Sequence, residues 1–241
     1  MVEFAVCDDD IGFANILEQK INHILIGVED LDYYIHKFYS SNQILNHIEN
    51  HPINILFLDI DMPEKNGFYV AEMLQKKSQD TIIIFVSAYD KFVYESFQFT
   101  PFCFLRKEHI EAELKSTLNK VLEKFFENNT TVLFNTIEGA ANIRAKDIVY
   151  IESIKNYYLI HCKSGATYKC RGTLTSIENE LNLHNFVRVH KAYIVNLQNI
   201  MSVNANRKII VYPNYSIFAS SRKWSTFNKA YMEFSRRRIV F

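Results

Sequence analysis

Four short apolar runs in the first half of the chain each stop at a polar side chain. Residues 4–7 lead into Asp8 and Asp9, residues 53–58 into Asp59, residues 81–86 into Ser87, and residues 102–105 towards Lys107. Runs of this length between helix signals read as buried parallel strands. In an open α/β sheet, the carboxyl ends of the strands line one crevice, where ligands collect. Three acids, a hydroxyl and an ammonium, far apart in sequence, are therefore expected to meet.

Helical spacing fills the intervals. Asp10 can cap a helix that puts Phe13, Ile16, Leu17, Ile21 and Ile24 on one face. A strand over residues 33–39 and a helix over 41–49, ended by Pro52, come next. Pro63 and Gly67 mark a loop before a helix over 68–77. A helix over 91–97 follows the third run. The last helix starts near Glu108 and carries Ile110, Leu114, Leu118, Val121, Leu122 and Phe125 as its stripe. Five β/α pairs predict a doubly wound, five-stranded parallel sheet with helices on both faces.

Texture changes after residue 126. Runs rich in Val, Ile, Tyr and Phe recur at 132–137, 148–154, 157–162, 167–171, 186–195, 208–212 and 216–219, with Gly139, Gly165 and Pro213 between them. Helices are expected only at 174–182 and 224–234. The polar stretch 127–131 reads as a short linker. The chain thus divides into an α/β domain over 1–126 and a mainly β domain over 132–241, without a helix-turn-helix pattern.

The formal net charge of zero hides an opposition. Residues 1–130 hold 11 Lys+Arg against 21 Asp+Glu, and residues 131–241 hold 16 against 6. Halves of net −10 and +10 imply different partners, and the basic half suits a polyanion. With 48% hydrophobic and 22% charged residues, each half can bury a core. No apolar run approaches the ~20 residues of a membrane span, and no secretory leader is visible. Cys7, Cys103, Cys162 and Cys170 lack Cys-x-x-Cys spacing. Reduced thiols and a cytoplasmic location are expected.

Paired carboxylates at a strand end are costly without a cation, and hard oxygen donors suit Mg²⁺. Beside it, Asp59 could serve as a nucleophile towards a phosphoryl group. Lys107 could pair with the phosphate and the Ser87 hydroxyl could bond one of its oxygens. The acidic pair Asp8-Asp9, the run Leu58-Asp59-Ile60-Asp61-Met62-Pro63 with Gly67 beyond, Ser87-Ala88 and Lys107 together resemble a response-regulator receiver domain over residues 1–125. That resemblance implies that Asp59 accepts a phosphoryl group from a sensor histidine kinase and that the chain is not an enzyme otherwise. It implies Mg²⁺ held by Asp9, Asp59 and the Asp61 carbonyl with help from Asp8, and Phe104 at the position of a rotating aromatic. Glu108 stands where relatives carry proline after the lysine, and Phe104 lacks the commoner tyrosine hydroxyl. Asp59-Ile60-Asp61 also resembles the haloacid-dehalogenase phosphatase motif, but that family places its metal-binding acidic pair downstream.

In the second half, Asp147 to Ser153, then Lys155-Asn156-Tyr157-Tyr158, Phe186-Val187-Arg188-Val189-His190-Lys191-Ala192-Tyr193-Ile194-Val195-Asn196 and Ser220-Ser221-Arg222 resemble a LytTR-type DNA-binding domain. The resemblance implies loops that read double-stranded DNA through Asn156, Tyr157, Tyr158, His190, Lys191, Ser221, Arg222 and Lys223. Arginine suits guanine, asparagine suits adenine, and Lys, Tyr and Ser suit phosphates. His190 could instead be a strand residue bonded within the fold, Asn196 is expected to stabilise a turn, and His161 and His184 do not share metal-ligand spacing with the cysteines. Arg236-Arg237-Arg238 is expected as a solvated tail. Phosphorylation at Asp59 is expected to favour a homodimer. Its face would be the 91–97 helix and the strand before Lys107, where Phe92, Phe97, Phe99 and Phe102 could equally be core. A receiver with a protein- or RNA-binding output is the alternative.

Overall fold

The computed structural model describes residues 1–77, 80–182 and 185–238. Two compact units, Met1–Phe125 and Phe126–Phe241, divide the chain. In the first, β1 (Val2–Cys7), β2 (Tyr33–Phe38), β3 (Ile55–Asp59), β4 (Ile82–Ser87) and β5 (Cys103–Arg106) form one parallel sheet in the order β2-β1-β3-β4-β5. The helices are α1 (Ile11–Leu25), α2 (Ser41–His47), α3 (Gly67–Lys76), α4 (Val93–Ser96) and α5 (Ile110–Asn129). Strands β1, β3 and β4 are almost wholly buried, as a sheet covered on both faces requires.

Local chemistry starts the first three crossovers. Asp10 accepts the Phe13 amide at 3.0 Å at the head of α1, Ser40 accepts that of Gln43 at 3.3 Å at α2, and Asn66 accepts that of Tyr69 at 3.1 Å at α3. Such caps are worth about 1 kcal/mol each. One apolar cluster packs α1 and α5 on the sheet through Leu17, Ile21, Leu114 and Leu118, and the other packs α2 and α3 through Ile44, Val70 and Leu74.

The expected 91–97 helix is shorter than its periodicity suggested. A single α turn, α4, lies between 3₁₀ turns at Asp90–Phe92 and Phe97–Phe99, and Thr100 closes the segment in the left-handed region at φ 44°. Pro101 follows, and the residue before proline is pushed out of the α region. Aromatic packing sets the path: Phe99 stacks on Phe68 at 5.0 Å and Phe92 meets its edge at 5.9 Å. Of the aromatic stripe, Phe92, Phe99 and Phe102 therefore pack against the core, while Phe97 is exposed beside Tyr94.

The second unit places β11 (Phe186–His190), β12 (Tyr193–Asn196), β8 (Ile148–Ile154), β9 (Tyr157–Cys162), β10 (Thr167–Arg171), β6 (Thr131–Thr136) and β7 (Gly139–Arg144) side by side in that order, antiparallel throughout. A three-stranded sheet joins β13 (Ile200–Val203), β14 (Lys208–Val211) and β15 (Tyr215–Phe218). Helix α6 (Leu174–Asn182) shares one apolar cluster with the large sheet, and α7 (Ser221–Arg238) shares the other with the small sheet through Phe227, Ile209 and Ile217.

Three sequence expectations change here. The run 186–195 is a hairpin that turns at Lys191-Ala192. Strands β7 and β13 went unforeseen because Gly139-Ala140-Ala141 has little apolar bulk and β13 is only four residues long. Residues 127–129 lie in the last turn of α5 instead of a linker, where the Thr130 amide bonds the Phe126 carbonyl at 2.8 Å and Thr131 opens β6. His184 falls outside the described residues, as do the side chains of Arg237 and Arg238.

Gly67 sits where no side chain fits, because a Cβ there would lie 2.2 Å from the Asp59 carbonyl oxygen. Its amide meanwhile bonds the Ile60 carbonyl at 2.9 Å. Gly67→Ala should cost ~1–3 kcal/mol in urea unfolding, the range for forcing an atom into packed structure. An unchanged midpoint would show that the loop moves aside freely.

Candidate functional site

The parallel order brings the ends of β1, β3, β4 and β5 to one edge. Asp8 is 1% exposed, Asp59 4% and Ser87 0%, whereas Asp9 faces solvent. Carboxylate oxygens of Asp8, Asp9 and Asp59 lie within 4.8 Å of one another. Lys107 arrives from the end of β5, with Nζ 2.6 Å from Asp8 Oδ2 and 3.3 Å from Asp59 Oδ2. The same ammonium lies 4.6 Å from the centre of the Phe13 ring, a cation–π contact that holds it over the acids. Asp8 Oδ1 accepts the Asp10 amide at 3.0 Å and Asp59 Oδ1 the Ile60 amide at 2.9 Å. Beyond its ion pair, buried Asp8 Oδ2 has no hydrogen-bond partner.

This pocket holds more negative charge than its one ammonium can offset. Burial, and then the nearby Asp8 charge, push the Asp59 carboxyl up to about 6, with Lys107 and the Ile60 amide opposing. Burial also raises Asp8. At Lys107 burial acts to lower the pKa, but the Asp8 bond and the Asp59 charge outweigh it and the ammonium is held protonated. Oxygen-only donors, two buried carboxylates sharing one ammonium and an Asp59 carboxyl raised by burial and by the Asp8 charge all fit a hard divalent cation. Ser87 Oγ accepts the Tyr89 amide at 3.2 Å, so its own proton can be directed elsewhere. Phe104 is half-buried against the α3 side of the sheet, and Lys107, Glu108 and His109 make the 3₁₀ turn into α5.

In the second unit, turns gather at one end of the large sheet. Lys155 and Asn156 form the β8–β9 turn, with Lys155 at φ 56°. The Ser153 amide bonds the Ala192 carbonyl at 2.9 Å, which sets that turn beside the β11–β12 turn carrying exposed Lys191. The Ser220 amide bonds the Val189 carbonyl at 2.9 Å and brings in the start of α7, with exposed Ser221 and Arg222. His190 Nδ1 accepts the Ala192 amide at 3.2 Å and closes its own turn.

A model of the response regulator receiver domain matches residues 4–119, and one of the LytTr DNA-binding domain matches residues 138–232. The chain joins a response-regulator receiver to a LytTR output domain. Among curated relatives, the sensory transduction protein LytT of Bacillus subtilis (strain 168) is 28% identical over 62% of this chain and 66% of its own length. The transcriptional regulatory protein NatR of the same organism is 23% identical over 86% of this chain and 88% of its own. The transcriptional regulatory protein LytR of Staphylococcus aureus (strain N315) is 24% identical over 62% of this chain and 67% of its own. The chain thus spans about two thirds of the first of these. Among solved structures, the response regulatory domain of protein mrkE from Klebsiella pneumoniae aligns with TM-score 0.47 at 19% identity, covering 52% of this chain and 98% of that one. A LytTr DNA-binding domain from Bacillus cereus aligns with TM-score 0.37 at 19% identity, covering 42% and 96%.

The receiver brings together Asp8, Asp9, Asp59 and Lys107 at the edge where β4 ends on Ser87. Phe13, which steadies Lys107, escaped sequence reading because its helical spacing already explained it as core. The LytTR domain collects Asn156, His190, Lys191, Ser221 and Arg222 at one sheet end. Tyr158 departs from that set: 5% exposed, it packs in the core with Cys170 and Ile160, because strand alternation turns it inward while Tyr157 faces out. Asn196 is buried and structural, its amide nitrogen donating to the carbonyls of Ala145 and Ile148 at 2.9 Å each. Sequence reading placed Lys155 in the motif but not among its contacts, and passed over exposed Lys169 and Arg171; Lys169 Nζ lies 4.3 Å from the Tyr157 ring centre and Arg171 pairs with Tyr157 across the strands. The i, i+2 spacing of Lys169 and Arg171 in β10 was the available signal.

Between the ordinary carboxylate value of 3.8 and about 6, folded Asp59 binds a proton that the unfolded chain does not. Its contribution therefore favours folding at low pH and is lost as pH rises through about 6. In Mg²⁺-free buffer at pH 7.5, Asp59→Asn should stabilise the receiver by ~1–3 kcal/mol, a two-unit shift discounted for its coupling to Asp8 and Lys107. The gain in urea midpoint should shrink towards pH 4.5. A larger gain at pH 4.5 would contradict the charge argument.

Proposed function

We propose that this chain is a phosphorylation-dependent transcription regulator in which Asp59 is the phosphoacceptor. The observation that supports it is the buried Asp8–Asp59–Lys107 cluster at one sheet edge, on a chain whose other domain is basic. An Asp59 carboxylate oxygen attacks phosphorus on a phosphohistidine of a sensor kinase. The P–N bond breaks, an acyl phosphate forms, and the imidazole, already protonated on its other ring nitrogen, leaves as the neutral ring. Asp8, Asp9, Asp59 and the Asp61 carbonyl would hold Mg²⁺, which would neutralise charge on the phosphoryl oxygens. Lys107 exchanges Asp59 for the phosphate and the Ser87 hydroxyl donates to another of its oxygens. Two or three charge-assisted bonds of roughly 1.5–3 kcal/mol match the ~5.5 kcal/mol needed to move a two-state equilibrium from 1:99 to 99:1.

The loop after β4 and the segment with Phe104 would respond to that change. Exposed Tyr89, Tyr94 and Phe97 next to them supply apolar surface for a phosphorylation-favoured homodimer. Dimerisation would set two LytTR domains on paired DNA half-sites. No helix among the described residues is long and apolar enough to cross a membrane, and a cytoplasmic location suits a partner that is DNA.

Acetyl phosphate with Mg²⁺ should label one carboxylate, and EDTA or Asp59→Asn should abolish the label. Persistence of the label in Asp59→Asn would refute the assignment. Turnover of small phosphoesters would instead favour the phosphatase reading. For the output, Lys191→Ala and Arg222→Ala should each flatten the log K against log salt slope on duplex DNA by about 0.9, one phosphate contact each. Preference for single-stranded RNA over any duplex would favour the alternative output.

A further inference from the structure

Arg188 is a basic residue within a basic surface, yet its guanidinium is committed to the protein. Nε donates to the His190 carbonyl at 3.4 Å and Nη2 to the Lys191 carbonyl at 3.0 Å. Nη1 donates to Thr175 Oγ1 at 3.0 Å and to Glu178 Oε2 at 2.7 Å. The other Glu178 oxygen receives Lys223 Nζ at 3.4 Å. All three guanidinium nitrogens are therefore engaged, and the side chain is only 16% exposed. Burial would raise the Glu178 carboxyl, but the Arg188 bond and the Lys223 charge overcome it and hold it below the usual range.

We propose that Arg188 and Glu178 are positioning residues that hold the Lys191 turn and the start of α7 in one DNA-reading geometry. The inference rests on the DNA-binding reading of this domain. The bonds to the carbonyls of His190 and Lys191 fix the turn's backbone, which directs the Lys191 side chain outward. Glu178, on α6, then ties that turn to α7 through Lys223, beside the Ser220–Val189 backbone bond. Only a planar fork with donors on three nitrogens reaches both carbonyls and the carboxylate together. Glu178 also offsets two positive charges that would otherwise attract any polyanion, so it favours discrimination over raw affinity.

The test uses the full chain and a duplex enriched by the wild-type protein from a random-sequence pool, with a scrambled duplex as control. Arg188→Met should bind the enriched duplex at least tenfold more weakly with its salt slope unchanged, because Arg188 touches no phosphate. Glu178→Gln, which keeps shape and leaves Arg188 in place, should bind the scrambled duplex more tightly and narrow the preference at least fivefold. Should Arg188→Met fail to fold by its melting curve, Glu178→Gln alone decides. A slope reduced by about 0.9 in Arg188→Met would make Arg188 a phosphate contact and overturn the inference. Affinities within twofold of wild type for both duplexes in Glu178→Gln would overturn it as well. If the wild-type chain enriches no duplex, the DNA-binding reading itself falls, and this inference with it.

Discussion

The receiver is organised around a charge imbalance it cannot resolve alone. Two carboxylates, Asp8 and Asp59, are buried at the ends of neighbouring strands against a single ammonium. In a low-dielectric pocket such an excess is expensive, and it shows as an Asp59 carboxyl raised to about 6 and an Asp8 carboxyl raised by burial. Everything that keeps the acids there has to outweigh that cost. The apolar clusters on both faces of the sheet do so, together with the close approach of Gly67 to the Asp59 carbonyl and the Phe13 ring beneath Lys107.

The imbalance also explains why this pocket suits a switch. A site at electrostatic rest gains little from a cation, whereas a pocket with acids in excess would gain from one, and only a cation held there lets a phosphoryl group approach the carboxylates. Lys107 already bridges the acids and can change partner without crossing the pocket, and Ser87 ends the strand beside Asp59. The segment after β4 is built of short turns held by aromatic packing instead of a long helix. Such a segment has few backbone bonds to break when its neighbours move.

The output domain handles charge in the opposite way. Lys155, Lys191 and Arg222 are spread over turns at one end of a large antiparallel sheet, and the acid nearest them, Glu178, is paired with Arg188 and Lys223. Loops from β8–β9, β11–β12 and the start of α7 are linked by backbone bonds, so a surface made of separate segments can act as one. Sheet ends suit this role because turns project side chains while the strands stay rigid.

Much of this was legible in the residues themselves. Apolar runs ending in Asp8-Asp9, Asp59, Ser87 and Lys107 determined the parallel sheet and its site, since strand burial and crossover topology leave one edge for their ends to share. Asp10 before an apolar helical stripe determined the start of α1. The division of charge determined that the halves have different chemistry. Tertiary structure decided what depends on long-range neighbours. It put Tyr158 in the core and Tyr157 outside, because register sets which face a residue takes. It shortened the 91–97 helix, because Phe92 and Phe99 pack on Phe68 and Thr100 precedes proline. It turned 186–195 into a hairpin and spent Arg188 on its own turn. Local pattern records which residues want burial or charge; only packing settles which partner each one finds.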